Sequence, residues 1–219
     1  IAESEVKEYG FTMPAEDVML TANGAINTYT IKYDLVGGNL AEGITNKEEY
    51  TVETESFTLN NPSKVGYTFA GWTGSNGEIV QTTVTIAKGS TGNKEYKATW
   101  TANTNTAYKE ITYKMNTSGT YEEKIVNKQG TTEQSVSMSI VAEEGFKYES
   151  SNSKPEGTIA PDGSTELKVY FSRNKYTLAR TAETGGTVSG NSGSTYYDAS
   201  VTVTATAKAG YTFAGWYEG

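Results

Sequence analysis

Bulky and polar residues alternate in short runs along the whole chain, and helical periodicity is nearly absent. Alternation with a period of two residues is the pattern of a half-buried strand. Three of these runs end at a turn that contains glycine: residues 29–35 before Gly37, residues 111–115 before Gly119, and residues 176–180 before Gly185. The pattern predicts a mainly β protein, with α+β as the upper limit of its helical content.

Other parts of the chain follow the same pattern. Asn76-Gly77 and Asp162-Gly163 are dipeptides typical of tight turns between strands. The additional predicted strands are residues 50–59, 67–72, 95–100, 121–126, 134–141 and 165–171.

The heptapeptide GYTFAGW occurs twice, at residues 66–72 and 210–216. Such self-similarity marks an array of related modules. The modules are roughly 70–80 residues long, and domains of this size bury only about 60% of their unfolded surface, so we expect thin cores. The predicted divisions are a truncated repeat over residues 1–26, complete modules over 27–102 and 103–175, and a truncated repeat over 176–219.

Two features of this division lead to further expectations. The joints at residues 101–106 and 172–175 are short, so the modules are expected to form an elongated, semi-rigid rod. Residues 8–22 have the pattern of a closing half-module, whereas residues 176–219 have that of an opening half. Unpaired strand edges invite pairing between molecules, so we expect head-to-tail self-association through the two end segments.

The charge and composition narrow the function. The chain of 219 residues has a net charge of −8, which disfavours binding to nucleic acid and to anionic membranes. No apolar run reaches the ~18–20 residues that span a bilayer, so membrane insertion is not expected. The sequence starts with Ile1 rather than Met, and we interpret it as a piece of a longer protein.

The residue types also disfavour catalysis. Histidine and cysteine are absent from the sequence, which removes the commonest general base and every thiolate. Adjacent glutamates such as Glu48-Glu49 point to opposite faces of a strand and cannot face one another across a cleft. The four aspartates are scattered singly, which disfavours a calcium site. We therefore expect no enzyme, no catalytic residues, no metal and no cofactor.

The aromatic residues are the remaining candidates. Small modules need large side chains in their interior, and the predicted core aromatics are Phe69, Trp72, Trp100, Phe213 and Trp216. The 16 tyrosines exceed what thin cores can hide, and an exposed aromatic ring can stack on the apolar face of a sugar. The candidate glycan-contact residues are Tyr67, Tyr196, Tyr197 and Tyr211.

Several sequence blocks resemble bacterial repeat families. YTVETESFTLNNPSKVGYTFAGW at residues 50–72, followed by KEYKATWTA at 94–102, resembles the Listeria–Bacteroides repeat, the B-repeat of internalins. Residues 103–175 are similar to a mucin-binding-protein type repeat, through ITYKMNTSGTY, EEGFKYESSNSKPEGTI and ELKVYFSRN. The GGTVSG and FTMPAEDVMLTA blocks resemble the related surface repeat halves at the two ends.

This resemblance implies small β-grasp-like modules, each with a mixed sheet of about four strands. It also implies an extracellular location on a bacterial cell surface, with attachment to the cell wall through a region outside this chain. The family defines no catalytic residues. The resulting hypothesis is a non-catalytic stalk or spacer with an adhesive role, and the alternative is a carbohydrate- or mucin-binding adhesin module that uses exposed tyrosines. The expected partners are a host glycan, a mucin or another surface protein, and a contiguous exposed aromatic patch beside polar groups would favour the alternative.

Overall fold

The computed structural model describes residues 8–218, and it divides the chain into two compact units with a boundary between Asn103 and Thr104. The described residues form strands, turns and one 3₁₀ turn at Ser150–Asn152, and they contain no α-helix. The prediction of a mainly β fold is confirmed, while the rod-like arrangement stays a prediction. Within the described part of the chain, no helix is long and apolar enough to cross a membrane.

Unit 1 contains one mixed sheet and one small two-stranded sheet. The large sheet has the order β2-β1-β7-β4-β5, in which β1 and β7 are parallel and the other neighbours are antiparallel. The small sheet pairs β3 with β6. The strands are β1 (Tyr29–Asp34), β2 (Glu49–Tyr50), β3 (Phe57–Thr58), β4 (Tyr67–Gly74), β5 (Gly77–Gln81), β6 (Thr85–Ile86) and β7 (Lys94–Ala102).

The single strand predicted over residues 50–59 is wrong, because the structure has only the short β2 and β3 there. The side chain of Thr51 accepts a 3.2 Å hydrogen bond from the Glu53 amide, and the Thr51 amide donates to Thr54 Oγ1 at 2.9 Å. Threonine hydroxyls bonded to nearby amides compete with the sheet ladder and favour a turn. The run of alternating residues therefore bends instead of continuing as one strand.

The core of unit 1 is built around Trp72, which is fully buried. Its Nε1 donates a 2.9 Å hydrogen bond to Asn61 Oδ1, so the polar end of the ring has a partner. The pairing of β4 with β7 shifts register between Phe69 and Gly71, and Gly71 has a φ of +141° that favours glycine. This irregularity lets Phe69 pack against Trp72 at 5.4 Å between ring centroids, although strict alternation predicted opposite faces. The other buried residues of the cluster are Ile31, Tyr50, Leu59, Val84, Ile86, Tyr96 and Ala98.

Unit 2 contains a four-stranded sheet and three two-stranded sheets. The four-stranded sheet has the order β11-β13-β8-β9, with β8 and β13 parallel at its centre. The small sheets pair β10 with β12, β14 with β16, and β15 with β17. The strands are β8 (Thr106–Met115), β9 (Tyr121–Gly130), β10 (Ser135–Ser137), β11 (Phe146–Tyr148), β12 (Glu156–Thr158), β13 (Glu166–Arg173), β14 (Lys175–Leu178), β15 (Gly186–Gly190), β16 (Gly193–Tyr196) and β17 (Val203–Ala207).

The core of the four-stranded sheet comes mainly from alternate residues of β13. Leu167 and Val169 are almost completely buried, and Phe171 follows them on the same face. Ile159, in the loop after β12, is also fully buried. Tyr170 alternates with these residues, so its ring lies on the opposite face of the sheet.

Candidate functional site

The first heptapeptide lies in the core of unit 1, whereas the second does not form a comparable core. Trp72 is buried, and Phe69 and Trp100 are half-buried and packed together at 5.5 Å. Phe213 and Trp216 are each 52% exposed, so the core prediction is wrong for these two residues in the described structure. In unit 1 the heptapeptide strand β4 pairs with β5 and β7, whereas the second heptapeptide pairs with no strand in the described chain.

The four candidate tyrosines have different surroundings. Tyr67 is half-buried, and Lys64 Nζ lies 4.3 Å from its ring centroid. Tyr211 is exposed at one side and covers Gly185 at the other. Tyr196 and Tyr197 are half-buried neighbours at the end of β16. Tyr196 and Tyr197 are adjacent in sequence, and both lie at the joint between the four-stranded sheet and the β14–β16 pair.

Arg173 is the central side chain of this joint. Its side chain is only 12% exposed, and Nε donates a 3.2 Å hydrogen bond to the carbonyl oxygen of Met115 on β8. Nη1 donates a 2.7 Å bond to the carbonyl oxygen of Tyr197 and lies 3.8 Å from a carboxylate oxygen of Asp198. The guanidinium also lies 4.7 Å from the ring centroid of Phe146, a cation–π contact. One cation thus connects β8 and β11 of the four-stranded sheet to the residues after β16.

Main-chain hydrogen bonds reinforce the same joint. Asn174 is the single residue between β13 and β14, and its amide donates to the Gly145 carbonyl oxygen at 2.8 Å. The Asn174 carbonyl oxygen accepts a 2.8 Å bond from the Tyr197 amide. Gly145 has a φ of +78°, and a Cβ built there would lie 2.1 Å from the Tyr197 ring. Glycine is required at this position both by its backbone conformation and by the close approach of the ring.

A cleft opens beside the joint, with a volume of about 640 Å³. Tyr121 of β9, Tyr176 of β14 and Tyr196 contribute aromatic rings to it. Its polar groups include Glu149 and Lys175. The lining also contains Met115, Lys147, Ser172, Arg173 and Asn174. The cleft therefore combines ring surfaces with hydrogen-bond donors and acceptors.

The electrostatics of the cleft centre on Glu149. The hydroxyl of Ser172 donates a short hydrogen bond to its carboxylate, and Lys147 Nζ lies 3.2 Å from the same oxygen, so the pKa of Glu149 is lowered. Burial raises the pKa of the Tyr121 hydroxyl, and the charge of Glu149 adds to this rise. Around neutral pH the cleft thus presents the ionised carboxylate of Glu149 and the neutral phenol of Tyr121.

Sequence reasoning did not identify most of these residues. Residues 172–175 were expected to be only a short joint, and nothing singled out Arg173, Gly145, Tyr121 or Tyr176. The sequence did contain one signal for Arg173. The chain has only two arginines, and this one lies in the predicted joint at residues 172–175. No group of three acidic, histidine or cysteine side chains among residues 8–218 is placed to hold a metal ion.

Comparison with known families identifies two segments of the chain. Residues 29–96 match the family model of the Listeria-Bacteroides repeat domain, and residues 176–219 match that of the divergent InlB B-repeat domain. No curated protein is significantly similar to the chain. The resemblance of residues 103–175 to a mucin-binding-protein type repeat stays an expectation. Residues 29–96 in unit 1 and residues 176–219 in unit 2 are thus similar in sequence to repeat domains of the Listeria-Bacteroides and divergent InlB B-repeat families.

Proposed function

We propose that this chain is a non-catalytic spacer segment of a bacterial cell-surface protein, in which small β modules hold another part of that protein at a distance from the cell. The two segments that match repeat-domain families support the interpretation of this chain as an array of repeated modules. Extracellular location and attachment to the cell wall through a region outside this chain are part of the same proposal. The net charge of −8 keeps such a segment soluble and limits its self-aggregation.

The observation that carries this proposal is the Arg173 joint. A spacer must keep each module in a fixed orientation relative to the next one. Flexible connections do not fix this orientation. Here a single residue, Asn174, connects β13 to β14, and its amide and carbonyl groups are both bonded across the joint. Arg173 adds bonds to Met115 and Tyr197 on either side. The connection is therefore restrained by side-chain and main-chain contacts together.

Distance measurement between two spin labels tests this restraint. The chain has no cysteine, so Gln129→Cys on β9 and Thr204→Cys on β17 provide two unique labelling positions. Both residues are exposed in the structure. A narrow distance distribution that broadens in Arg173→Ala supports the spacer, whereas an equally broad distribution in both proteins contradicts it.

Small-angle scattering tests the spacer on a larger scale. A compact globule of this length has a radius of gyration of about 17 Å. The spacer proposal expects a clearly larger value for the whole chain. A value near that of the globule argues against a rod.

Head-to-tail association is a second part of the proposal. Residues 8–22 form no strand and are exposed, and residues 210–216 pair with no strand in the described chain. Residues 8–22 of one molecule are proposed to pair with residues 210–216 of the next. Light scattering over a range of concentrations tests this contact, and a monomer at every concentration rejects it.

An adhesive role is the second candidate function, and the tyrosine-lined cleft favours it. Tyr121 and Tyr176 are 36% and 54% exposed and lie beside polar groups. A spacer alone does not require such a surface. Binding of the chain to immobilised mucin at physiological salt tests the adhesive role, and the absence of saturable binding leaves the spacer function alone.

A further inference from the structure

A row of tyrosine rings lies on the four-stranded sheet of unit 2, on the face opposite its main core. Tyr113 of β8 stacks on Tyr170 of β13, with 4.3 Å between centroids and 11° between planes. Tyr121 of β9 meets Tyr170 edge-on at 5.3 Å. Because Tyr170 alternates with the buried Val169 and Phe171, these rings do not fill the core on that side. Tyr113 and Tyr170 are half-buried and Tyr121 is exposed, so the row presents partly exposed aromatic rings that adjoin one another.

The row continues into the cleft at the joint. Tyr121 belongs to both, because it contacts Tyr170 and also lines the cleft with Tyr176 and Tyr196. The cleft volume of about 640 Å³ lies within the ~300–1,000 Å³ range of small-molecule sites. The row and the cleft together offer several adjacent ring positions, which suits an oligomeric ligand better than a single small ring.

Charged groups accompany these rings in the cleft. Lys175 Nζ lies 4.4 Å from the centroid of the Tyr196 ring and, in the described part of the chain, contacts no carboxylate. It has free donors for a ligand hydroxyl. The carboxylate of Glu149 retains acceptor capacity, because an ionised carboxylate accepts more hydrogen bonds than the two that Ser172 and Lys147 provide.

A carbohydrate is the ligand class that matches this arrangement. A pyranose ring has a face of C–H groups, which packs on an aromatic ring, and a rim of hydroxyls, which needs both donors and acceptors. The net charge of −8 disfavours a strongly anionic ligand, including nucleic acid. A lipid chain does not satisfy the carboxylate and ammonium groups of the cleft.

We propose that the tyrosine row and the adjoining cleft of unit 2 form a binding site for a neutral pyranose oligosaccharide. Tyr121 and Tyr176 stack on sugar rings, Glu149 accepts hydrogen bonds from hydroxyls, and Lys175 donates to hydroxyl oxygens. The site includes residues on both sides of the Arg173 joint, so it is complete only when the joint is formed. This inference rests on the adhesive role and is independent of the spacer function.

Titration of the whole chain with neutral oligosaccharides, followed by NMR, tests the site. The probes are cellotetraose, tetra-N-acetylchitotetraose and lacto-N-tetraose, each taken to millimolar concentration. Saturable shifts of amides around Tyr121 and Tyr176 with at least one probe are expected. Tyr121→Ala and Tyr176→Ala are each expected to weaken binding at least about tenfold, equivalent to about 1.4 kcal/mol.

Two further variants separate lost contact from lost folding. Tyr176→Phe keeps the ring and is expected to bind like the unaltered chain. Tyr217→Ala removes an exposed tyrosine of unit 2 that does not line the cleft, and binding is expected to persist.

The outcomes separate the site from the adhesive role. If the chain binds a probe and Tyr121→Ala and Tyr176→Ala bind it as tightly as the unaltered chain does, the assignment of the site to the cleft is wrong. The adhesive role then stands. If no probe binds at millimolar concentration, the oligosaccharide site is rejected, and mucin binding alone then decides the adhesive role.

Discussion

The guanidinium of Arg173 donates a 2.7 Å hydrogen bond to the main-chain carbonyl oxygen of Tyr197. Arg173 ends β13 of the four-stranded sheet, whereas Tyr197 lies in the turn directly after β16 of the β14–β16 pair. Hydrogen bonds from a charged donor in a largely buried position are among the stronger polar contacts in proteins. This bond holds the β14–β16 pair against the four-stranded sheet. Arg173 itself also lines the cleft.

Replacement of Arg173 is expected to destabilise unit 2. Arg173→Ala leaves the carbonyl oxygens of Met115 and Tyr197 without their charged donor, and we expect a loss of about 1.5–3 kcal/mol. Hydrogen exchange of the β14 and β16 amides measures the free energy of local opening. Protection of these amides is expected to fall more than protection of the central strand β8.

The second arginine of the chain is a matched control. Arg180 Nε is buried in the described structure and has no hydrogen-bond partner there. Because Arg180→Ala removes an unsatisfied group, we expect little loss of stability or a small gain. If the two arginine variants are equally destabilised, the joint contacts of Arg173 do not stabilise unit 2 in the way described.

Gly145→Ala is expected to disrupt the joint by steric conflict. The new methyl group would lie 2.1 Å from the Tyr197 ring, and the backbone φ of +78° adds strain for a residue with a Cβ. Gly163→Ala is the control, because Gly163 has a φ of +77° but its nearest contact is an ordinary 3.4 Å. Both variants carry the backbone cost, so the difference in stability isolates the clash with Tyr197. Hydrogen exchange of the β14 and β16 amides measures this difference. An equal loss of stability in Gly145→Ala and Gly163→Ala contradicts the close packing of the Tyr197 ring on Gly145.

The strands of unit 1 and unit 2 were predictable where alternation is regular. The run at residues 67–72 lies within β4, and the run at residues 165–171 overlaps β13 from Glu166 onward. In β13 the buried residues Leu167, Val169 and Phe171 alternate with half-buried ones. The run at residues 50–59 failed because local threonine hydrogen bonds compete with strand pairing, and alternation does not reveal them. Phe69 and Trp72 were both predicted as core residues, but alternation alone would place them on opposite faces of the strand. The irregularity at Gly71 brings the two rings together.

The candidate site was less predictable than the fold. Exposed tyrosines were expected from their number, but number does not say which rings become neighbours. Tyr113 and Tyr121 lie close together in the β8–β9 hairpin, but Tyr170 is far from both in sequence. Its ring reaches theirs only because β13 pairs with β8. Phe213 and Trp216 were predicted to be buried but are exposed. An identical heptapeptide forms a core only where partner strands cover it.

The alkaline stability of unit 1 is expected to depend on Tyr33. Burial raises the pKa of this phenol from its ordinary value of 10.0 to about 12, and the neighbouring Tyr96 and Glu48 add to the rise. Between these two values the unfolded chain loses the proton while the folded chain keeps it. The contribution of the protonated Tyr33 to the free energy of unfolding is therefore complete below pH 10. It is lost as the pH rises toward about 12.

Urea denaturation at several alkaline pH values measures this dependence. In a Trp216→Phe background, fluorescence reports only Trp72 and Trp100, which both lie in unit 1. Tyr33→Phe is expected to reduce the fall of stability with pH, while burial of Tyr50 and Tyr96, which raises their pKa values, leaves a residual slope. Tyr217→Phe, an exposed tyrosine of unit 2, controls for general effects, and an unchanged slope in Tyr33→Phe shows that this phenol does not ionise as described.

The different surroundings of the three tryptophans predict a simple optical result. Trp72 is fully buried, Trp100 is half-buried with its Nε1 bonded to the Leu35 carbonyl oxygen, and Trp216 is 52% exposed. A neutral quencher such as acrylamide reaches exposed indoles far more easily than buried ones. Trp216→Phe is therefore expected to lower the quenching constant of the chain and shift its emission to shorter wavelength. Trp100→Phe, a change of the same size at a covered position, is expected to do neither, and equal quenching in both variants shows that Trp216 is covered in solution, either by its own module or by a second molecule.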